Sequence, residues 1–398
     1  MLSQKYTKNV NARSVIRDLF EYSKARAAVI GADNVFDFSI GNPSVPAPKL
    51  LDETAARIMA EGSPAAVHGY PSAEGIPEVR RAIAESLNRR FGMSYGEKNI
   101  FMTIGAAAAV TCCVRAVTDY GAGDEIITFA PYFPEYNVYA KSAGASLVVI
   151  PADIESFQIN FEALEQAINV HTRAVLINSP NNPSGAVYSE ATVKKLAELL
   201  TLKQKALGHS IYIISDEPYR EIVFKGFEVP YVPKYYNNTL VCYSYSKALS
   251  IPGERIGYVA FADGCEDGEI ILKVLAGAAR DLAYVGVPSL FQMVIGELVD
   301  ETADLSVYQR NKDILYNGLK ELGYTCVEPG GTFYAFPRSL EPDAKAFCEV
   351  AKKFELVLVP GDGFGCPGHV RIAFCQSEDK VKRSLPKFAE LAEYYKAR

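Results

Sequence analysis

The stretch that decides the fold is TLVCYSYSKALSIPGERIGYVAFA, residues 239–262. It contains two short apolar runs, TLVCYSYS (239–246) and IGYVAFA (256–262), which predict two strands. Lys247 follows the first run at once, and Arg255 stands eight positions later. A lysine amine is a nucleophile only when its surroundings hold its pKa below normal, so this lysine is a candidate catalytic group. A solvated loop lysine is the alternative, and the rest of the sequence has to decide.

The same kind of apolar run recurs towards the N-terminus, and helical patterns separate the runs. The further strand candidates are NIFMTI (99–104), EIITFA (125–130), SLVVI (146–150), RAVLIN (173–178) and IYIIS (211–215). The clearest helix candidates are residues 105–119, 132–143, 160–169 and 189–208. Apolar strands that alternate with helices predict an α/β fold, with a mostly parallel seven-stranded sheet covered by helices.

A different pattern begins near residue 287. Long helical stretches (289–323) come first, and the short β-like runs TFYAFPR, LVLVPG and HVRIAFC follow them. This order predicts a smaller α+β domain, completed by the N-terminal segment. We therefore predict a large domain over residues 45–286 and a small domain formed by residues 1–44 and 287–398.

Composition and charge argue against several kinds of partner and site. The chain of 398 residues has a net charge of −6 and no basic stripe, so we expect neither nucleic acid nor a membrane as a partner. The N-terminal residues MLSQKYTKNVNARSV lack the apolar segment of a signal peptide, and we expect a cytoplasmic location. Eight cysteines without a CxxC pair indicate buried free thiols, and four scattered histidines argue against a metal centre.

A glycine-rich turn offers a seat for a phosphate. In FMTIGAAAAVTCCVRAV (101–117) a strand ends at Gly105 and an alanine-rich helix begins at once. Glycine allows a ligand to approach the backbone closely, and a helix N-terminus presents free N–H groups and a partial positive charge. A tight turn whose alanines simply pack is the alternative.

Polar residues follow three further apolar runs. Asp216 directly follows IYIIS (211–215), and its carboxylate would need a cation such as a protonated ring nitrogen, unless it caps the next helix. The turn LINSPNNPSG does not need both Asn181 and Asn182, so one of them could bind a ligand oxygen. Arg371, in HVRIAFC, is either a paired core residue or a receptor for a carboxylate.

Taken in order along the chain, these motifs resemble the class I/II aminotransferases, the fold type I pyridoxal-phosphate enzymes, of the aspartate aminotransferase type. The resemblance extends from FSIGNPSVPAP (38–48) to VRIAFCQSED (370–379). The combination of NNPSG, DEPY and SYSKALSIPGERIGY is typical of this superfamily, but it does not identify the substrate.

The resemblance implies pyridoxal 5'-phosphate as the cofactor and a role for each motif residue. Lys247 would carry the cofactor as a Schiff base and move the substrate α-proton. Asp216 would pair with the pyridine nitrogen, and Asn182 and Tyr219 would bind the ring's 3-oxygen. The phosphate would be held by Gly105, Ala106, Ala107, Ser244 and Arg255, with Phe133 on the ring face and Tyr70 contributed by the neighbouring subunit of a homodimer.

The resemblance also implies the reaction. Arg371 would bind the substrate α-carboxylate, helped by Asn182 and the backbone of Gly41. An L-amino acid, with aspartate or an aromatic residue favoured, would pass its amino group to a 2-oxo acid such as 2-oxoglutarate by a ping-pong mechanism. Arg280 is a candidate for binding a distal carboxylate, and a surface arginine is the equally open reading of it.

Two alternatives share these motifs. A pyridoxal-phosphate C–S β-lyase acting on cystathionine or cysteine would use the same cofactor residues. A non-catalytic, aminotransferase-like binding protein would keep the fold, although known examples carry a DNA-binding domain for which there is no room before residue 38. A nicotinamide dehydrogenase is disfavoured, because the chain lacks the glycine fingerprint between a strand and a helix.

Overall fold

The computed structural model describes residues 2–4, 7 and 15–397. The strands in this part of the chain are β1 (Phe36–Asp37), β2 (Ile100–Thr103), β3 (Glu125–Phe129), β4 (Ser146–Ile150), β5 (Thr172–Asn178), β6 (Tyr212–Asp216), β7 (Thr239–Ser244), β8 (Gly257–Phe261), β9 (Tyr334–Ala335), β10 (Leu356–Val357), β11 (Val359–Pro360) and β12 (Val370–Ala373).

One α-helix separates each strand from the next between β2 and β6, and α-helices dominate the last third of the chain. They are α1 (Val15–Ile30), α2 (Lys49–Glu61), α3 (Pro64–His68), α4 (Pro77–Phe91), α5 (Ala106–Val117), α6 (Glu135–Ser142), α7 (Phe161–Ala167), α8 (Glu190–Leu207), α9 (Tyr245–Ala248), α10 (Gly268–Asp281), α11 (Ser289–Glu297), α12 (Ser306–Glu321), α13 (Ala344–Ala351) and α14 (Glu378–Lys396).

The central sheet has seven strands in the order β2-β8-β7-β6-β5-β3-β4. The strands from β7 to β4 are parallel to one another, whereas β8 runs antiparallel to both β2 and β7. This arrangement confirms the predicted α/β fold with a mostly parallel sheet. All seven strand candidates occur, with ends shifted by no more than two residues.

The central strands are mostly apolar because helices cover both faces of the sheet. Successive residues of a strand point to opposite faces. Ile213 of β6 accordingly packs into one core cluster, with Val175, and Ile214 packs into another, with Leu176. A strand buried on both faces has no reason to alternate apolar and polar residues, which is why these runs stood out in the sequence.

Helices α5 and α8 begin in different ways. Helix α8 has a side-chain cap, since Ser189 Oγ accepts from the Thr192 N–H at 3.1 Å, and it ends at Gly208 with φ 74°. Helix α5 begins after Gly105 (φ 89°) without a side-chain cap. Its first N–H groups therefore remain available for a ligand.

The smaller part of the fold joins both ends of the chain. Strand β1 pairs with β10, and β11-β12-β9 form a separate antiparallel sheet. Phe36 and Phe38 share a core cluster with Leu356 and Phe388, so the N-terminal segment packs with the C-terminal region as expected. The helical stretch after residue 287 is two helices, and Val294 and Ile295 of the first pack with the core of the large sheet. The boundaries at 44/45 and 286/287 stay predictions.

The cysteines are free thiols, and seven of the eight are buried. This agrees with the interpretation of these residues as small apolar core groups. Among the residues that the structure describes, each helix is too short or too polar to span a lipid bilayer.

Candidate active site

A cavity of about 360 Å³ lies at the carboxyl ends of the parallel strands. Asn178, Asp216 and Ser244, the last residues of β5, β6 and β7, all line it. Open α/β sheets bind ligands at this edge, and the volume suits a small molecule. The sequence-predicted residues that line the cavity are Gly41, Ala106, Ala107, Phe133, Asn182, Asp216, Tyr219, Ser244, Lys247, Arg255 and Arg371.

Lys247 lies on α9, the single helical turn that follows β7. Its Nζ donates to the Gly41 carbonyl oxygen at 3.0 Å. Burial lowers the pKa of Lys247 to about 8; Cys375 opposes this shift, and the nearby charges of Arg255 and Arg371 add to it. A larger share of the amine is therefore neutral near physiological pH than for an ordinary lysine, as a nucleophile or base requires.

Asp216 presents a carboxylate with one unused oxygen. Its Oδ2 accepts a hydrogen bond from the Tyr136 hydroxyl at 2.5 Å. Its Oδ1 is buried and has no hydrogen-bond partner among the described residues. Burial raises the pKa of Asp216 to about 7, while the bond from Tyr136 acts in the opposite direction. A buried acceptor of this kind needs a donor from a ligand, and a cationic N–H is the best match.

The N-terminus of α5 and Arg255 form one positively charged corner of the cavity. The Arg255 guanidinium donates to the Pro252 and Ile104 carbonyl oxygens at 2.8 and 3.2 Å. A Cβ at position 105 would lie 2.9 Å from its Nη2, so glycine leaves room for the guanidinium. Free helix N–H groups beside an arginine provide the donors that a phosphate requires.

Arg371 lies on β12 between two aromatic rings. Its Cζ is 4.8 Å from the centre of the Tyr334 ring and 5.0 Å from that of Phe364. Its Nη groups donate to Ser39 O at 2.6 Å and to Asn182 Oδ1 at 3.2 Å, and its Nε is buried without a partner among the described residues. Because both partners are uncharged, the guanidinium is suited to bind a carboxylate.

The structure separates the two asparagines that the sequence left open. Asn181 holds the turn, since its Oδ1 accepts from the backbone N–H and the hydroxyl of Ser184. Asn182 lines the cavity beside Arg371. Asn178 connects this turn to the neighbouring strand, because it accepts from the Asn182 N–H and donates to the Asp216 carbonyl oxygen.

Gly41 and two tyrosines form the wall next to Lys247. The hydroxyls of Tyr219 and Tyr334 are 3.1 Å apart. A Cβ on Gly41 would collide with the Tyr334 hydroxyl, so only glycine permits this tyrosine to reach its place. The same Gly41 provides the carbonyl oxygen that binds Lys247.

We expect Gly41→Ala to destabilise the fold by about 1–3 kcal/mol, the usual range for overpacking a buried site, and to lower kcat/KM by displacing Tyr334. Thermal unfolding and steady-state kinetics measure the two effects. Gly277→Ala is the matched control, since a Cβ there meets no atom within 4 Å, and alanine in α10 should stabilise the helix by up to about 1 kcal/mol. Wild-type stability and kinetics of Gly41→Ala would contradict this account of the wall.

The arrangement agrees with a comparison to known families. A family model described as aminotransferase class I and II matches residues 33–388. The chain belongs to the class I and II aminotransferases. It is a pyridoxal-phosphate-dependent aminotransferase, as the resemblance of its motifs predicted.

Relatives of this aminotransferase support the same assignment. It is 30% identical over 361 residues to the aspartate/prephenate aminotransferase of Thermus thermophilus, covering 88% of this chain and 89% of the relative. The crystal structure of an amino transferase from Eubacterium rectale is 52% identical, covers 99% of each chain and has a TM-score of 0.97. The aspartate aminotransferase of Thermus thermophilus with maleate has a TM-score of 0.85 at 27% identity, over 98% of this chain and 99% of that one. These likenesses confirm the fold type I architecture.

The residues of the cavity fit pyridoxal phosphate, the cofactor that this family generally uses. The unpartnered Oδ1 of Asp216 matches a protonated ring nitrogen. The buried amine of Lys247 matches an aldehyde, and the corner formed by Arg255 and the N-terminus of α5 matches a phosphate. The ring nitrogen, the aldehyde and the phosphate of the cofactor therefore each have a chemically suitable counterpart on the chain.

Three residues that the sequence analysis named do not line the cavity. Gly105 lies beside the cavity and makes room for Arg255 rather than lining the site itself. Tyr70 is 100% exposed on its own chain, and its contact with a neighbouring subunit stays a prediction. Arg280 is exposed in the last turn of α10 and does not line the cavity.

Sequence reasoning missed several cavity residues, among them Tyr136, Tyr334 and Ile16. Tyr136 lies three positions after Phe133, and this spacing could have placed both on one face of a helix. Tyr334 lies in the β-like run TFYAFPR, and nothing in that run predicts its hydrogen bond to Tyr219. Ile16 reaches the cavity from α1, far from every motif, and no signal in the sequence announces it.

Proposed function

We propose that the chain transfers the amino group of an L-amino acid, with aspartate or an aromatic residue favoured, to a 2-oxo acid such as 2-oxoglutarate by a ping-pong mechanism. One observation carries the proposal: a neutralisable amine (Lys247), an unpartnered carboxylate oxygen (Asp216) and a carboxylate receptor (Arg371) line one cavity. Transamination requires a group for each of these tasks.

Lys247 has two tasks in this proposal. Bound pyridoxal phosphate supplies an electron sink that stabilises negative charge at the substrate Cα. Lys247 Nζ binds the cofactor covalently between turnovers and, when an amino acid replaces it, takes the proton from Cα. Its lowered pKa keeps this nitrogen able to accept a proton near neutral pH.

The other residues hold the cofactor and orient the substrate. Asp216 holds the proton on the ring nitrogen, and Asn182 and Tyr219 bind the ring oxygen. Arg371 binds the α-carboxylate and so sets which Cα substituent faces Lys247. The phosphate would be held by Ala106, Ala107, Ser244 and Arg255 at the corner that Gly105 shapes, and Phe133 would pack on the ring face.

The preference for aspartate or an aromatic donor rests on two kinds of support. The relatives carry the names aspartate aminotransferase and aspartate/prephenate aminotransferase. The cavity itself is rich in apolar and aromatic side chains, among them Ile16, Ile40, Phe133 and Tyr139. An aromatic side chain would bury its surface against these residues.

Single amino acids, added without a 2-oxo acid, test the proposal. A transaminase converts the visible absorbance of the bound cofactor once and releases one equivalent of 2-oxo acid per site. Aspartate or an aromatic amino acid should be the most effective donor. Continuous release of pyruvate and ammonia from cysteine or cystathionine would instead establish the β-lyase alternative.

Tyr136 should hold Asp216 in its ionised form. Tyr136→Phe removes the donor to Oδ2, and we expect the pKa of Asp216 to rise further above its ordinary value. A carboxyl is ionised above its pKa, so the variant loses the charge at neutral pH and regains it in alkaline solution. Cofactor affinity, measured across pH, should therefore fall most on the acidic side of neutrality. An equal loss at all pH values would contradict this role.

The proposal includes a cytoplasmic homodimer in which Tyr70 reaches the partner's phosphate site. Tyr70 is fully exposed on the single chain and is therefore accessible to a second subunit. We expect mixed dimers of Lys247→Ala and Tyr70→Ala subunits to regain activity, because one of their two sites then has both residues intact. Mixed dimers no more active than the average of the two parents would show that Tyr70 does not act across the interface.

A further inference from the structure

Tyr334 lies where the cofactor side and the substrate side of the cavity meet. It is 3% exposed, and its hydroxyl lies against Gly41, at a point that a Cβ would occupy. The hydrogen bond that the described residues give this hydroxyl is to Tyr219, at 3.1 Å. Its ring covers the Arg371 guanidinium.

The direction of the bond between the two tyrosines follows from hydrogen counting. A phenol has one hydrogen to donate. If Tyr219 donates into the cavity, its oxygen is free to accept from Tyr334, whose hydroxyl has no other hydrogen-bond partner in the described part of the chain. Burial raises the pKa of both phenols, which keeps both hydrogens in place.

We propose that Tyr334 is a positioning residue that donates to the Tyr219 oxygen and so aims the Tyr219 hydrogen at the ring oxygen of the cofactor. This inference rests on the proposed function. Chains of hydrogen bonds polarise one another, so Tyr219 becomes a stronger donor when Tyr334 bonds to it. A stronger donor withdraws charge from the ring oxygen and lowers the pKa of the nitrogen that links Lys247 to the cofactor.

The surroundings allow this effect to be isolated. The charged and titratable groups that act on Lys247 are Cys375, Arg255 and Arg371. Those that act on Tyr219 are Tyr334, Arg371 and Asp216. Tyr334→Phe removes one hydroxyl from these groups and keeps the ring that packs on Arg371. A change in the pKa of the Lys247 nitrogen therefore reports the lost hydrogen bond.

The experiment is a pH titration of the visible absorbance of the enzyme reconstituted with pyridoxal phosphate. We expect Tyr334→Phe to raise the midpoint of this titration by about half to one pH unit. A shift of this size corresponds to the free energy of one neutral hydrogen bond. Tyr219→Phe should raise it more, and the double variant should match Tyr219→Phe alone, since Tyr334 acts through Tyr219. An unchanged midpoint in Tyr334→Phe, or additive shifts in the double variant, overturns the proposal.

Tyr308→Phe is the matched control. Tyr308 is fully buried in the same aromatic cluster, but its hydroxyl accepts from the Ser44 N–H and does not contact Tyr219. Its midpoint should equal that of the wild type, and a shift as large as that of Tyr334→Phe would overturn the specific role of Tyr334. A wild type that shows no visible band with pyridoxal phosphate overturns the proposed function itself, a result distinct from an unshifted midpoint.

Discussion

Lys247→Ala is expected to lower kcat by at least about 10³-fold, because a positioned general base alone contributes about 10²–10⁴-fold and the nucleophile is lost with it. The cavity offers no substitute amine, since its other cations among the described residues are the guanidinium groups of Arg255 and Arg371. Steady-state rates with the best amino donor and 2-oxoglutarate measure the effect. Small primary amines added to the solution should restore part of the rate by replacing the missing proton acceptor.

Lys273→Ala provides the control for this variant. Lys273 is exposed on α10, so its removal should leave both the rate and the thermal unfolding unchanged. Lys247→Ala should fold normally, because alanine removes a buried amine that burial already disfavours in its charged form. A Lys247→Ala enzyme with a tenth or more of the wild-type rate would remove this lysine from the mechanism.

Asp216→Asn is expected to lower kcat/KM by roughly 30- to 4 × 10³-fold. The change keeps the shape of the side chain and an oxygen that can accept from Tyr136, but it removes the charge. Truncating one partner of a buried charge pair costs about 2–5 kcal/mol, and each 1.4 kcal/mol is about tenfold. The loss should appear in the rate at saturating cofactor, and separately as weaker binding of the cofactor.

Asp124→Asn is the control that separates the effect of removing a buried charge on stability from an effect on catalysis. The side chain of Asp124 is 2% exposed and pairs with Arg173 at 2.7 Å, remote from the residues that line the cavity. Its replacement should lower the unfolding temperature while the rate per folded molecule stays at the wild-type value. If Asp216→Asn behaved in the same way, Asp216 would be a structural residue.

The strand pattern was predictable because of how the sheet is buried. Helices on both faces favour apolar residues at most positions of β5 to β8, and such runs can be recognised in the sequence alone. Residues that do chemistry then stand out at the strand ends, as Asp216 does after four strand positions with no charged side chain. The order of the motifs along the chain was enough to locate most of the cavity.

The remaining parts of the site depend on packing between distant segments. Tyr334 meets Tyr219 only because β9 and the segment after β6 fold against each other, a contact across 115 positions in sequence. Ile16 enters the cavity from α1 for the same kind of reason. The residue pattern alone left Asn181 and Asn182 open, since both have the same chemistry, and only the resemblance named Asn182.

The most direct test of the central role of Lys247 is to locate the cofactor on the chain. The enzyme is incubated with pyridoxal phosphate, reduced with sodium borohydride, digested, and analysed by mass spectrometry. We predict one reduced cofactor per chain, carried by the peptide that contains Lys247, and none on Lys247→Ala. A stoichiometric adduct on another lysine, or no adduct at all, would contradict the assignment of this cavity as the active site.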